Sequence, residues 1–173
     1  PRFFTAHDGL RVWQYCVVGS EMCIRDSSQP HPEHEWILRE HIEIPSAKWR
    51  QIDFEPTDDP LFEGFEGIHD VAGDGSIILL PTPGHTPGSM SMLVRQEGWD
   101  PILLVGDLTY ETAALEQDIV PGTGDKELLL ATFARVRRLK ERLPGLAIVA
   151  SHDFAAEEAV ARATQHTSSI EQE

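Results

Sequence analysis

The sequence predicts an α/β layered fold. Two observations carry this: four short apolar runs at strand length, and one long stretch with helical spacing of its apolar residues. A third fits with them, because no internal repeat is visible and the composition, 40% hydrophobic and 25% charged, is that of an ordinary globular domain.

The elements follow in chain order. Residues 31–50 carry a helical pattern, with Trp36, Ile37, Glu40 and Ile44 interrupted at Pro45. Residues 51–75 are acidic and rich in Gly and Pro, which predicts a long loop with at most a short helical turn. Asp74-Gly75 is a hairpin-turn signal, because both residues tolerate positive φ. Residues 76–80 form the first predicted strand. Residues 89–94 form the second, with Met90, Met92 and Val94 on one face and Ser89 and Ser91 on the other. Residues 102–105 read as a strand buried on both faces and ending at Gly106. Residues 125–143 predict a helix. There Leu129, Phe133, Val136 and Leu139 recur at three- and four-residue steps, and Arg135, Arg137, Arg138 and Lys140 lie on the other side. Asp125 is placed to cap its start, and Pro144-Gly145 ends it. Residues 146–150 form the last strand, 155–163 begin a terminal helix, and 164–173 are a polar tail.

Charge and length narrow the function classes. Acidic residues outnumber basic ones 29 to 14, giving a formal net charge of -15. Such a chain repels phosphate backbones and anionic lipid, so nucleic acid and membrane surfaces are excluded as expected partners. No apolar run approaches the ~20 residues of a membrane span. The 173 residues suffice for one domain with a real core. The two cysteines, Cys16 and Cys23, are too few for a disulfide scaffold or a cysteine zinc site, which makes a reducing, cytoplasmic compartment the expectation.

Residues 1–27 read as foreign. The stretch 15–27 shows neither alternation nor helical spacing, and Met22-Cys23-Ile24-Arg25-Asp26-Ser27 matches a translation of the mosaic-end DNA used in transposase-based sequencing. Residues 28–173 are then the domain proper, and because the chain starts at Pro1 its native start is expected upstream. On this reading both cysteines, His7 and Asp8 carry no role.

Three polar residues share one placement. His85 follows the first strand, on the loop Thr82-Pro83-Gly84-His85-Thr86-Pro87-Gly88. Asp107 follows the third strand after Gly106, and His152 follows the last after Ser151. Each stands at the C-terminal end of a short apolar strand, where residues distant in sequence can meet. Two imidazoles and a carboxylate are a zinc-type ligand set. The prolines and glycines of the first loop stiffen it and let it turn tightly, fixing the His85 imidazole. Singly, a His is more often a packing or surface residue and an Asp after Gly a turn or helix cap; the joint pattern is far more specific.

The string Thr82-Pro83-Gly84-His85-Thr86-Pro87-Gly88-Ser89, then Val105-Gly106-Asp107, then Ser151-His152-Asp153, resembles the metallo-β-lactamase superfamily. The resemblance covers residues 70–160 well and 28–70 loosely. It implies the C-terminal half of an αββα sandwich that binds two metal ions, usually zinc, at one edge of its sheets. Asp107-Leu108-Thr109-Tyr110 and His152-Asp153 are most similar to the N-acyl-homoserine lactonases. By that likeness His85 would ligate the first metal and His152 the second, with Asp107 bridging both. Tyr110 would hydrogen-bond the carbonyl of a small lactone or ester substrate, and a metal-bound hydroxide would open the ring. Asp153 would either orient a ligand imidazole or, as the favoured reading, cap the terminal helix.

One departure is large. The family's His-x-His-x-Asp-His signature does not occur in the 173 residues. His31-x-x-His34 has the wrong spacing, and His31, His34, His41, His69 and His166 read as surface histidines. Since three ligands cannot hold two metals well, the parent is expected to be a dinuclear hydrolase and this chain inactive, with an apolar sheet face left bare. The alternatives are a glyoxalase-II-like thioester hydrolase, or a non-catalytic fragment in which the three residues do not converge.

Overall fold

A computed structural model describes residues 52–165. The segment 1–27, the helix predicted over 31–50, His31, His34, His41 and His166 lie outside the described residues.

The described residues build a sheet of five strands in sequential order: β1 (His69–Asp70), β2 (Ile77–Pro81), β3 (Met90–Val94), β4 (Ile102–Gly106) and β5 (Ala147–Ala150). The first three pairings are antiparallel and the β4–β5 pairing is parallel. The parallel step needs a crossover. It is supplied by α1 (Thr112–Glu116) and α2 (Lys126–Arg142), and α3 (Ala156–Thr164) follows β5. The direction of each strand then fixes the site. β2, β4 and β5 all run the same way, so their C-terminal ends share one edge, and β3 merely returns the chain between them.

Strand alternation gives the sheet two buried faces. Ile78, Leu93, Leu103 and Ile148 pair across four strands in one row. This row packs with Leu129, Phe133, Val136 and Leu139 of α2 in the larger core, which also takes Phe62 and Leu115. Each such fully buried side chain contributes about 1.5–3 kcal/mol. On the other face Ile102 and Val149, with Val94 and Leu104 beside them, pack against Ala156, Ala159, Val160 and Ala163 of α3. The expected bare sheet face is therefore not found: among the described residues the large exposed hydrophobics are Val71, Tyr110, Ile119, Leu128 and Phe154, none of them on a strand.

The differences from the sequence expectations are local. The loop predicted over 51–75 has the short helical turn expected of it, a 3-10 turn (Pro60–Phe62) capped by Asp59, but it also holds the unexpected edge strand β1. His69 consequently stands on an edge strand, paired with Leu79, and not in a loop; it is half-buried, and its Nδ1 lies 3.2 Å from the Asp53 carbonyl oxygen. Asp70 accepts the Gly73 and Gly75 N–H groups, which closes the 71–76 hairpin. In β3 the alternation is as expected, but the serine side faces the larger core. Ser91 is buried there beside Leu93, its hydroxyl satisfied by Thr82 Oγ1 at 2.9 Å. The basic side of α2 is largely exposed and carries surface pairs. Arg137 donates to the Leu115 carbonyl and to Asp118, Lys140 pairs with Glu116, and Arg142 pairs with Glu63. The five-residue α1 has no counterpart in the sequence reading, because 107–124 shows no helical period long enough to see.

Helix α2 starts where the sequence places it. Asp125 Oδ1 accepts the N–H groups of Glu127 and Leu128 at 2.9 and 3.0 Å. Asp125→Ala is expected to cost about 1 kcal/mol of stability, read from chemical denaturation; no loss would show that the cap contributes nothing.

Candidate metal centre

The loop after β2 is stitched to itself. Thr82 N–H donates to the Ser89 carbonyl at 2.9 Å, Gly84 N–H to the Thr86 carbonyl at 3.1 Å, and Thr86 N–H to Ser89 Oγ at 3.0 Å. It is also clamped onto the start of α2. Asp125 N–H donates to the Gly84 carbonyl at 2.7 Å, and Thr132 Oγ1 donates to the Pro83 carbonyl at 2.8 Å. Gly84 adopts a φ of 147°, and a Cβ there would strike Leu129 at 2.8 Å, so only glycine permits this approach. The result is a rigid platform that carries His85.

Asp107 follows β4 through Gly106, whose φ is 58°; the left-handed turn redirects the chain out of the strand. His152 leaves β5 after Ser151, whose N–H donates to the Gly106 carbonyl at 3.1 Å. The three residues meet. His152 Nε2 lies 3.2 Å from Asp107 Oδ1, and His85 Nε2 lies 3.9 Å from Asp107 Oδ2. Each imidazole thus addresses a different oxygen of one carboxylate. Among the described residues no three His, Cys, Asp or Glu side chains gather round a single point to hold an ion. What the described residues hold is one carboxylate between two imidazoles, one near each oxygen.

The donors suit divalent metal. Two ligands on one tetrahedral zinc, each bond about 2.0 Å, stand about 3.3 Å apart. The His152–Asp107 spacing of 3.2 Å matches this, and the His85–Asp107 spacing of 3.9 Å exceeds it. Asp107 and His85 are each 22% exposed at the side chain and His152 60%, so the site opens on the His152 side.

Tyr110 stands on the loop after Asp107. Its ring meets the His152 ring edge-on, with centroids 5.2 Å apart and planes at 83°, and it is 41% exposed. That places a phenol at the mouth, beside the imidazole with the greater exposure.

Asp153 is not the N-cap of α3: that position is Ala155, which makes no side-chain capping bond. Asp153 Oδ1 accepts the Ala155 N–H at 2.8 Å, in the turn before the helix, and its Oδ2 accepts the Thr112 N–H at 2.9 Å. It therefore ties the loop carrying Asp107 and Tyr110 to the loop carrying His152. The Thr112 amide, and after it the Ala155 amide, hold its carboxyl below the usual carboxylate range, so it stays ionised at neutral pH. Thr123 also escaped the sequence reading: its hydroxyl lies 3.3 Å from His85 Nδ1. The one local signal was the run Gly122-Thr123-Gly124 before the Asp125 cap, a sign of close backbone approach.

No described helix is long and apolar enough to cross a membrane. Residues 12–152 match the family model for the metallo-beta-lactamase superfamily. That span begins within the segment read above as foreign. The N-acyl homoserine lactonase AttM of Rhizobium radiobacter is 33% identical over 104 residues, covering 60% of this chain and 34% of that protein. An N-acyl homoserine lactonase of a Bacillus sp is 37% identical over 75 residues, covering 41% of this chain and 29% of the other. A solved structure of an N-acyl homoserine lactone hydrolase, with the product N-hexanoyl-L-homoserine bound at its catalytic metal center, shares 32% identity with a TM-score of 0.47. The likeness covers 54% of this chain and 36% of that one. The chain spans about a third of the length of the first of these relatives.

Proposed function

Because the chain belongs to the metallo-β-lactamase superfamily, we propose that it carries the C-terminal part of a hydrolase site that opens a lactone ring of the N-acyl homoserine lactone class, with two zinc ions as cofactor. The observation that carries the reading is the Asp107 carboxylate with one imidazole on each oxygen, His152 at 3.2 Å and His85 at 3.9 Å. The relatives named as lactonases favour this substrate over a thioester. Residues 28–173 contain no cysteine to bridge, which fits a reducing, cytoplasmic setting.

The residues divide the work. His85 and His152 would supply nitrogen donors, and Asp107 would supply carboxylate oxygen, to divalent cations. Divalent cations, when bound, acidify water to near neutral pH and polarise an ester carbonyl. Tyr110 would offer its O–H to the carbonyl oxygen, where negative charge grows as the nucleophile adds to the carbonyl carbon and before the ring C–O bond breaks. Asp153, through Thr112, keeps Tyr110 and His152 in register.

We further propose that the first-half ligands, of His-x-His-x-Asp-His type, belong to a segment that the 173 residues do not contain, so that the chain alone is inactive. The test compares this chain with the protein completed from the upstream reading frame. Both are assayed on N-acyl homoserine lactones and on glutathione thioesters, with metal content measured alongside. The completed protein should hold two zinc ions and hydrolyse the lactone, and Tyr110→Phe should lower its kcat about 10-fold or more. Fast thioester cleavage without ring opening would replace the lactonase reading with the thioesterase one. A completed protein without stoichiometric metal would remove the hydrolase reading altogether.

A further inference from the structure

We infer that Thr123 is a positioning residue for His85: its hydroxyl oxygen accepts a hydrogen bond from Nδ1–H of the imidazole, leaving the Nε2 lone pair directed to the Asp107 side where a cation would be held. This rests on the metal-site reading above and adds a residue to it from another part of the chain.

Three observations support it. The Thr123 hydroxyl oxygen lies 3.3 Å from His85 Nδ1, although the two are 38 positions apart. On the opposite edge of the ring Nε2 is 3.9 Å from Asp107 Oδ2, too far for a hydrogen bond. A proton on Nδ1 therefore has an acceptor within reach, and a proton on Nε2 has none in Asp107. A neutral imidazole that ligates through one nitrogen must carry its proton on the other, and the Thr123 hydroxyl, which accepts as well as donates, can receive that N–H. The third observation is that Thr123 is itself fixed. The next residue, Gly124, with a φ of 89°, packs its backbone against His85, where an added Cβ would lie 2.8 Å from His85 Cα. Asp125 then donates its N–H to the Gly84 carbonyl. The hydroxyl is thus delivered by a backbone that cannot retreat from the imidazole.

The test uses Thr123→Val, which keeps the shape and removes the hydroxyl, and Thr123→Ser, which keeps the hydroxyl. Nitrogen-15 shifts of the His85 ring are read by NMR in the metal-free 173-residue chain at about pH 9, where an ordinary imidazole is neutral. The wild type and Thr123→Ser should show the proton on Nδ1, and Thr123→Val should move it toward Nε2. In the completed protein, competition against a chromophoric chelator should show zinc bound about 10- to 100-fold more weakly by Thr123→Val, with Thr123→Ser near wild type. A His85 tautomer that is the same in Thr123→Val and wild type overturns the inference, and so does a Thr123→Ser variant as impaired as Thr123→Val. If no variant binds zinc but the tautomer still moves, the positioning role stands and the metal reading is what fails.

Discussion

An Asp107→Asn substitution is expected to cost the completed protein at least about a thousandfold in kcat/KM, about 4 kcal/mol of transition-state stabilisation, and to lower its zinc content. The reason lies in the sharing of the carboxylate. Its two oxygens face two different imidazoles, so removing its charge weakens both halves of the site at once. An asparagine keeps the shape but presents an amide nitrogen, a donor, where one of the oxygens had been. The fold should notice little, because Asp107 lies just beyond the end of β4 and outside the apolar core. Activity and metal content should therefore fall while the melting temperature holds. A variant that keeps its zinc and loses less than about tenfold in kcat/KM would show that Asp107 is only a turn residue, and the two-metal reading would go with it.

Gly124→Ala is the second large effect, and it acts on stability and site together. The residue sits at φ 89°, and a Cβ there would run into the Gly84 carbonyl oxygen and approach His85 Cα to 2.8 Å. Both neighbours are backbone, so neither can swing aside as a side chain would. The backbone penalty of about 1–2 kcal/mol for a left-handed alanine adds to the clash, for a loss of roughly 3 kcal/mol. Relief requires the loop to lift off α2, carrying His85 away from Asp107. Gly122→Ala is the control: a Cβ there meets nothing within 4 Å. It should change stability by no more than about 0.5 kcal/mol. Chemical denaturation of the two variants decides the matter, and equal midpoints would show that the loop is not clamped as described.

The elements were legible where neighbours in sequence determine them. Apolar runs specify β2, β4 and β5 to within a residue, and the three- and four-residue spacing of Leu129, Phe133, Val136 and Leu139 specifies α2 and its buried side. The Asp125 cap and the Pro-Gly stop are turn chemistry and need no partner from afar. Two elements were missed for the same reason in reverse. β1 has two residues and α1 five, too few to show a period, and each exists because it pairs or packs with something distant.

The candidate site divides in the same way. Residue types at strand ends nominate His85, Asp107 and His152 from the sequence alone, since a polar residue closing an apolar run stands out against it. That the three share an edge depends on β3 running back between β2 and β4, and on β5 joining β4 in parallel; strand direction is a property of the assembled sheet. The contact of Thr123 with His85, and the tie from Asp153 to Thr112 across 41 positions, belong to the packed molecule only. A side chain's own neighbours set what it can bond with, whereas the docking of α2 and the loops against the sheet sets which groups come within a hydrogen bond's reach.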